Sequence, residues 1–167
     1  MNRFFGAQRL LVSWELASSV VQQFEVEAKQ EGAKSIEAEH MLLALASSSD
    51  GETARLLHEF GLDHQRLSSA FREERRRTLA FAGISAPDKK LVEATERDCA
   101  LSFGTSAKAA VRRALIGAHH NRHRVPLRTI DLLAGILEAE LGTVPRALAI
   151  AGVDRAALIS RARASAC

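Results

Sequence analysis

Residues 53–70 read TARLLHEFGLDHQRLSSA, and residues 144–161 read VPRALAIAGVDRAALISR. Set 91 positions apart (152 − 61), Arg55 meets Arg146, Leu57 meets Leu148, Gly61 meets Gly152, Asp63 meets Asp154, Leu67 meets Leu158 and Ser69 meets Ser160. Each copy couples a helix stop to a helix start. Glycine takes the left-handed conformation that closes a helix, and an aspartate two residues later accepts from the first free N–H groups of the next one. Self-similarity at a fixed spacing marks a repeat architecture. Upstream, Leu42 matches Leu133 at the same offset, while Ala17, Val21 and Ala28 match Ala107, Val111 and Ala118 one position closer. One inserted residue near Pro126 accounts for the slip.

Outward from these pairs, each repeat reads as four helices. Val20, Val21, Phe24 and Ala28 share one face of a helix that ends near Gly32. Ser35 is the expected N-cap of the next helix, with Glu37 and Glu39 in its first turn and Met41, Leu42, Leu45 and Ala46 as its apolar face. A short helix over Thr53–Phe60 stops at Gly61, and Asp63 opens a fourth through Leu67 and Phe71. In the second copy Thr105 or Ser106 opens the first helix, Thr129 caps the second, Gly152 ends the third and Asp154 caps the fourth. REERRR (72–77) extends the fourth helix as a charged face, AGISAP (82–87) is a turn, and Asp88 caps an extra helix over 89–103. The expected fold is all-α: two pseudo-symmetric four-helix repeats packed into one unit over 14–163, with repeat one at 14–80, a linker at 81–103 and repeat two at 104–163.

Composition agrees. The 167 residues are 47% hydrophobic and 26% charged, enough for a real core, and with 5% aromatics and no Tyr they argue against an all-β fold. A net charge of +3 does not call for nucleic acid. Cys99 and Cys167 form no disulfide framework, which suits a reducing cytoplasm. Gln8, Arg9 and Glu15 interrupt the apolar start, so it is not read as a signal peptide, and no apolar run reaches membrane-spanning length.

Several clusters have a plain structural reading. His119, His120 and His123 sit among Arg122 and Arg124, which repel a cation, so they read as solvated rather than metal-binding. Arg72, Arg75, Arg76 and Arg77 interleave with Glu73 and Glu74 and read as a self-paired face rather than a nucleic-acid surface. Cys99 shares an apolar spacing with Val92 and Phe103 and reads as buried. Glu39–His40 reads as a local hydrogen-bonded pair, since no nucleophile accompanies it. No Gly-x-x-x-x-Gly-Lys-Ser/Thr run occurs, so no enzyme activity and no cofactor are expected.

The run AEHMLLAL (38–45), with Val20-Val21 and Glu27-Ala28 before it and ETARLLHEFG (52–61) after it, resembles the Thr-Glu-His-Ile-Leu-Leu-Gly-Leu signature and flanks of the Clp N-terminal (Clp repeat) domain of Clp-type AAA+ unfoldases. Phe103, Ala107-Lys108 and Val111 resemble the start of that family's second repeat, and TIDLLAGIL (129–137) its second signature. The resemblance implies a non-enzymatic docking module whose partners are Clp unfoldase or protease components, adaptors or clients, including arginine-phosphorylated proteins and Clp-targeting cyclic peptides. It implies ligand-binding roles for Glu39, His40, Trp14, Phe103 and Lys108, with Trp14 and Gly104 standing where the family carries threonines and Ile130 where it carries the second glutamate. An arginine-bearing ligand is then expected at repeat one. The competing reading is a small helical regulator that binds nucleic acid through REERRR and HHNRHR.

Overall fold

The computed structural model describes residues 18–48, 51–84, 101–121 and 127–166. Among them are eight helices in two sets of four. Repeat one holds α1 (Ser18–Gln30), α2 (Ala38–Ser47), α3 (Glu52–Glu59) and α4 (His64–Phe81). Repeat two holds α5 (Thr105–Asn121), α6 (Thr129–Leu137), α7 (Thr143–Ile150) and α8 (Arg155–Ala166).

The stop–start pairs are built as their residues dictate. Gly61 and Gly152 have φ of 67° and 70°. At each, two hydrogen bonds reach back over the helix end: Gly61 N–H to His58 O and Leu62 N–H to Leu57 O, then Gly152 N–H to Ala149 O and Val153 N–H to Leu148 O. Asp63 accepts from Arg66 N–H at 2.7 Å and Asp154 from Ala157 N–H at 3.0 Å. A β-branched residue fits a left-handed cap badly, so Gly61→Val and Gly152→Val should each destabilise the fold by about 1–2 kcal/mol. Thermal melting checks this, and an unchanged midpoint would show that the caps do not carry that strain.

Two caps differ from the sequence expectation. Ser35 does not cap α2, because Ser35–Ile36 form a short strand, β1, paired in parallel with β2 (Ser102–Phe103). Thr129 is the first residue of α6 rather than its cap, and its hydroxyl hydrogen-bonds the Thr53 hydroxyl of the other repeat at 2.8 Å. The residues one step earlier, Glu37 and Arg128, hold the cap positions instead. In both helices the third residue reaches back: His40 Nδ1 accepts from Glu37 N–H at 2.9 Å, and Asp131 Oδ2 accepts from Arg128 N–H at 2.8 Å. These two side chains lie 91 positions apart (131 − 40), so the repeat is written in hydrogen bonds as well as in sequence. The expected extra helix over 89–103 falls mainly outside the described residues, and its final two residues are strand β2, not helix.

One contiguous cluster of buried residues takes members from both repeats, among them Phe24, Met41, Leu42, Leu57 and Leu67 from the first and Ile130, Leu132, Leu133, Leu148 and Leu158 from the second. Burying such side chains is what stabilises each helix pair, since helices this short are marginal alone. Helix α4 packs against α7 and α3 against α8, so each repeat's short helix is held by the other repeat. Arg146 of α7 reaches buried Glu74 of α4 at 2.7 Å, and Arg66 donates to Ala151 O at 2.7 Å.

At the β1–β2 junction the repeats cap one another. Ser106 N–H and its hydroxyl both donate to the Glu37 carboxylate, while the Ser106 oxygen accepts from Ala38 N–H at 2.9 Å. These bonds offset the burial of Glu37 and hold its carboxyl below the usual range. A Cβ at Gly104 would overlap that carboxylate, so any larger residue there would have to push the Glu37 side chain off Ser106.

Candidate functional site

The most heavily charged part-buried cluster described lies where α1 turns into α2. The turn brings Glu31 back against Glu39, the second residue of α2, and His40, the third. Helix α4 lays Arg75 over them. Arg75 Nη2 stands 2.8 Å from Glu31 Oε2 and 3.4 Å from Glu39 Oε1. Glu39 is 15% exposed, His40 1% and Arg75 52%, so the carboxylates form the floor and the guanidinium the outer wall.

His40 has one possible neutral tautomer here. Its Nδ1 accepts the Glu37 N–H, so its proton sits on Nε2. That Nε2–H is buried without a hydrogen-bond partner, at 3.8 Å from both Glu31 Oε2 and Glu39 Oε1. The same protonation argues against a metal centre. Glu31, Glu39 and His40 have donor atoms within 4.8 Å of one another. To ligate, however, Nε2 must lose its proton to Nδ1, which would then face the Glu37 N–H donor to donor.

The two acids are shifted in opposite directions. His40 Nε2–H facing it and the Arg75 guanidinium keep Glu31 below the ordinary carboxylate range. Burial pushes Glu39 up, with the negative Glu31 beside it, against the opposing pull of Arg75. Thr143, the first residue of α7, stands close enough to Glu39 to favour its charged form. The N-cap of α7 is Gly142, which offers no side chain to the first N–H groups. The site therefore lies between a carboxylate floor in repeat one and a helix start in repeat two.

The sequence-predicted residues divide. Glu39 and His40 are brought together. Phe103 lies in β2, half-buried against the core, and Lys108 is exposed on α5, so both sit outside the cluster. Trp14 lies outside the described residues, as do Cys99, residues 122–126 and the side chains of His119 and His120. Glu31, Arg75 and Thr143 join the site only through the fold. Arg75 pairs with acids 44 and 36 residues away, a separation no local spacing reveals. In the basic segment Arg76 and Arg77 both bind Glu73 at 2.7 Å, drawing its carboxyl down to about 2. A self-paired face of this kind does not favour nucleic acid. No described helix is long and apolar enough to cross a membrane.

Fold and site together define an all-helical, two-repeat domain with an acidic recess at the junction of its halves. Residues 15–95 match the family described as the Clp repeat (R) N-terminal domain. The crystal structure of the N-terminal domain of the caseinolytic protease associated chaperone ClpD from Arabidopsis thaliana is similar, with a TM-score of 0.63 at 20% identity over 89% of this chain and 90% of that one. No curated protein matches the sequence. Residues 15–95 thus carry a Clp repeat, and the described fold is that of the ClpD N-terminal domain.

Proposed function

We propose that this domain is a non-catalytic docking module of a Clp protease or chaperone system, and that it recognises an arginine-borne group at Glu39. The supporting observation is the pair of part-buried carboxylates, Glu31 and Glu39, converging at one recess. A guanidinium supplies up to five donors in a planar fork that matches carboxylates. Phosphorylated arginine adds an anion. The start of α2 is less open to that anion than its sequence implied, since Ala38 N–H is already taken by Ser106. The N–H groups opening α7 and the Thr143 hydroxyl offer the alternative.

Calorimetric titration of phosphoarginine into the wild type and Glu39→Ala tests the reading. One site is expected, and the substitution should abolish it, because losing a charged partner costs about 1.5–3 kcal/mol. Two equal sites, or none in the wild type, would overturn it. Binding should also weaken as pH falls. The acceptor must be ionised, and Glu39 is held above the ordinary glutamate range, so the loss should begin at a higher pH than a free glutamate would dictate. A flat profile through that range would count against Glu39 as the acceptor.

A further inference from the structure

The recess is already filled by the chain's own guanidinium. Arg75 Nη2 makes one short ion pair with Glu31 at 2.8 Å and a longer one with Glu39 at 3.4 Å. We infer that Glu31 and Glu39 together form the guanidinium seat, and that Arg75 is its resident competitor, which a client arginine must displace. This rests on the guanidinium-docking reading above.

Arg75 is suited to leave. Its side chain is 52% exposed, and half-exposed ion pairs are weak and screened by salt. It does not hold α4 in place: Phe71 and Leu67 bury that helix, Glu74 ties it to Arg146, and Arg76 and Arg77 have Glu73 as their own partner. Its occupancy is also incomplete. While Arg75 draws the carboxylates outward, His40 Nε2–H stays buried with no acceptor within hydrogen-bond reach, a costly state. A ligand that lets a carboxylate settle onto Nε2–H, or that presents an acceptor of its own, satisfies that group.

The second repeat supplies a comparison inside the same molecule. Ninety-one positions on, Glu39 becomes Ile130 and Arg75 becomes Ala166 (166 − 75). Acid and competitor are absent together, as expected if Arg75 exists because of the seat rather than because of the helix that carries it.

The test is titration of phosphoarginine, and separately of N-methylguanidinium, into the wild type, Arg75→Gln and Glu31→Gln/Arg75→Gln. Removing the competitor should tighten both ligands by roughly twofold to fivefold at low salt, the range set by one weak ion pair. Adding Glu31→Gln should cancel the gain. On the wild type, the Arg75 side-chain Nε–H resonance should shift as phosphoarginine is added. Equal affinity for wild type and Arg75→Gln would overturn the competitor while leaving the seat intact. Weaker binding by Arg75→Gln would make Arg75 a ligand-contacting residue and overturn it too. No binding by any of the proteins would remove the docking reading itself. Far-ultraviolet melts of each variant exclude a loss of fold as the cause.

Discussion

Gly135→Ala is expected to destabilise the protein by about 2–3 kcal/mol, the cost of forcing atoms into a filled space. By helix propensity alone the same change, in the interior of α6, would stabilise by about 1 kcal/mol. Geometry reverses the sign. A Cβ at Gly135 would overlap the Ala110 carbonyl oxygen and stand 2.6 Å from Ala114 N and 2.8 Å from Ala114 Cβ. Two of these three atoms are α5 backbone and cannot swing aside, so the helices must part, breaking the 2.7 Å bond from Arg113 Nε to Gly135 O. Gly117, on α5, is the control: a Cβ there meets nothing within 4 Å. Gly117→Ala should stabilise by about 0.5–1 kcal/mol. In thermal melts the first variant should fall by roughly 5–10 °C and the second rise slightly. Two substitutions of the same kind moving in the same direction would show that the α5–α6 approach does not limit that space.

Ile130→Glu restores the family's second glutamate on paper, yet it should cost about 3 kcal/mol and create no second seat. Ile130 is 1% exposed. Ala166 stands where Arg75 does in repeat one, and buried Asp131 beside it adds like charge. Burying an unpaired ionisable group costs about 3–5 kcal/mol unless it stays protonated. Its folded pKa would thus exceed its unfolded one, so the penalty is smallest below the unfolded value and reaches full size once pH passes the folded value. Denaturant melts near pH 4 and pH 8 should show the gap to wild type widening at the higher pH. A gap independent of pH would mean the new carboxyl had escaped to water.

What was legible in the sequence follows from the range of each interaction. Gly61–Asp63 and Gly152–Asp154 act within a few residues, and both pairs are present as read. Ser35 and Thr129 are the hydroxyls that local spacing offers as caps. Ser35 is claimed instead by a strand pairing with Ser102, and Thr129 by a hydroxyl from the other repeat. Long-range partners overrode local chemistry at both. Glu39 and His40 were visible through the signature they sit in, but the groups that complete their site, Glu31, Arg75 and Thr143, arrive by folding. Ser106 shows the same limit. Nothing near residue 38 indicates that its N–H will be taken by a hydroxyl 68 residues away.

That clasp between Ser106 and the start of α2 has a consequence for the order of events during synthesis. Helices α1 to α4 leave the ribosome first, yet Ala38 N–H and the Glu37 carboxylate must wait for Ser106. Closing so long a loop is entropically unfavourable until the second half can pack and offset it. A nascent first half can close the Glu37–His40 cap by itself, but the clasp on Ala38 N–H forms only after α5 has emerged. A chain stalled before α5 would carry the signature with Ala38 N–H and the Glu37 carboxylate still facing water.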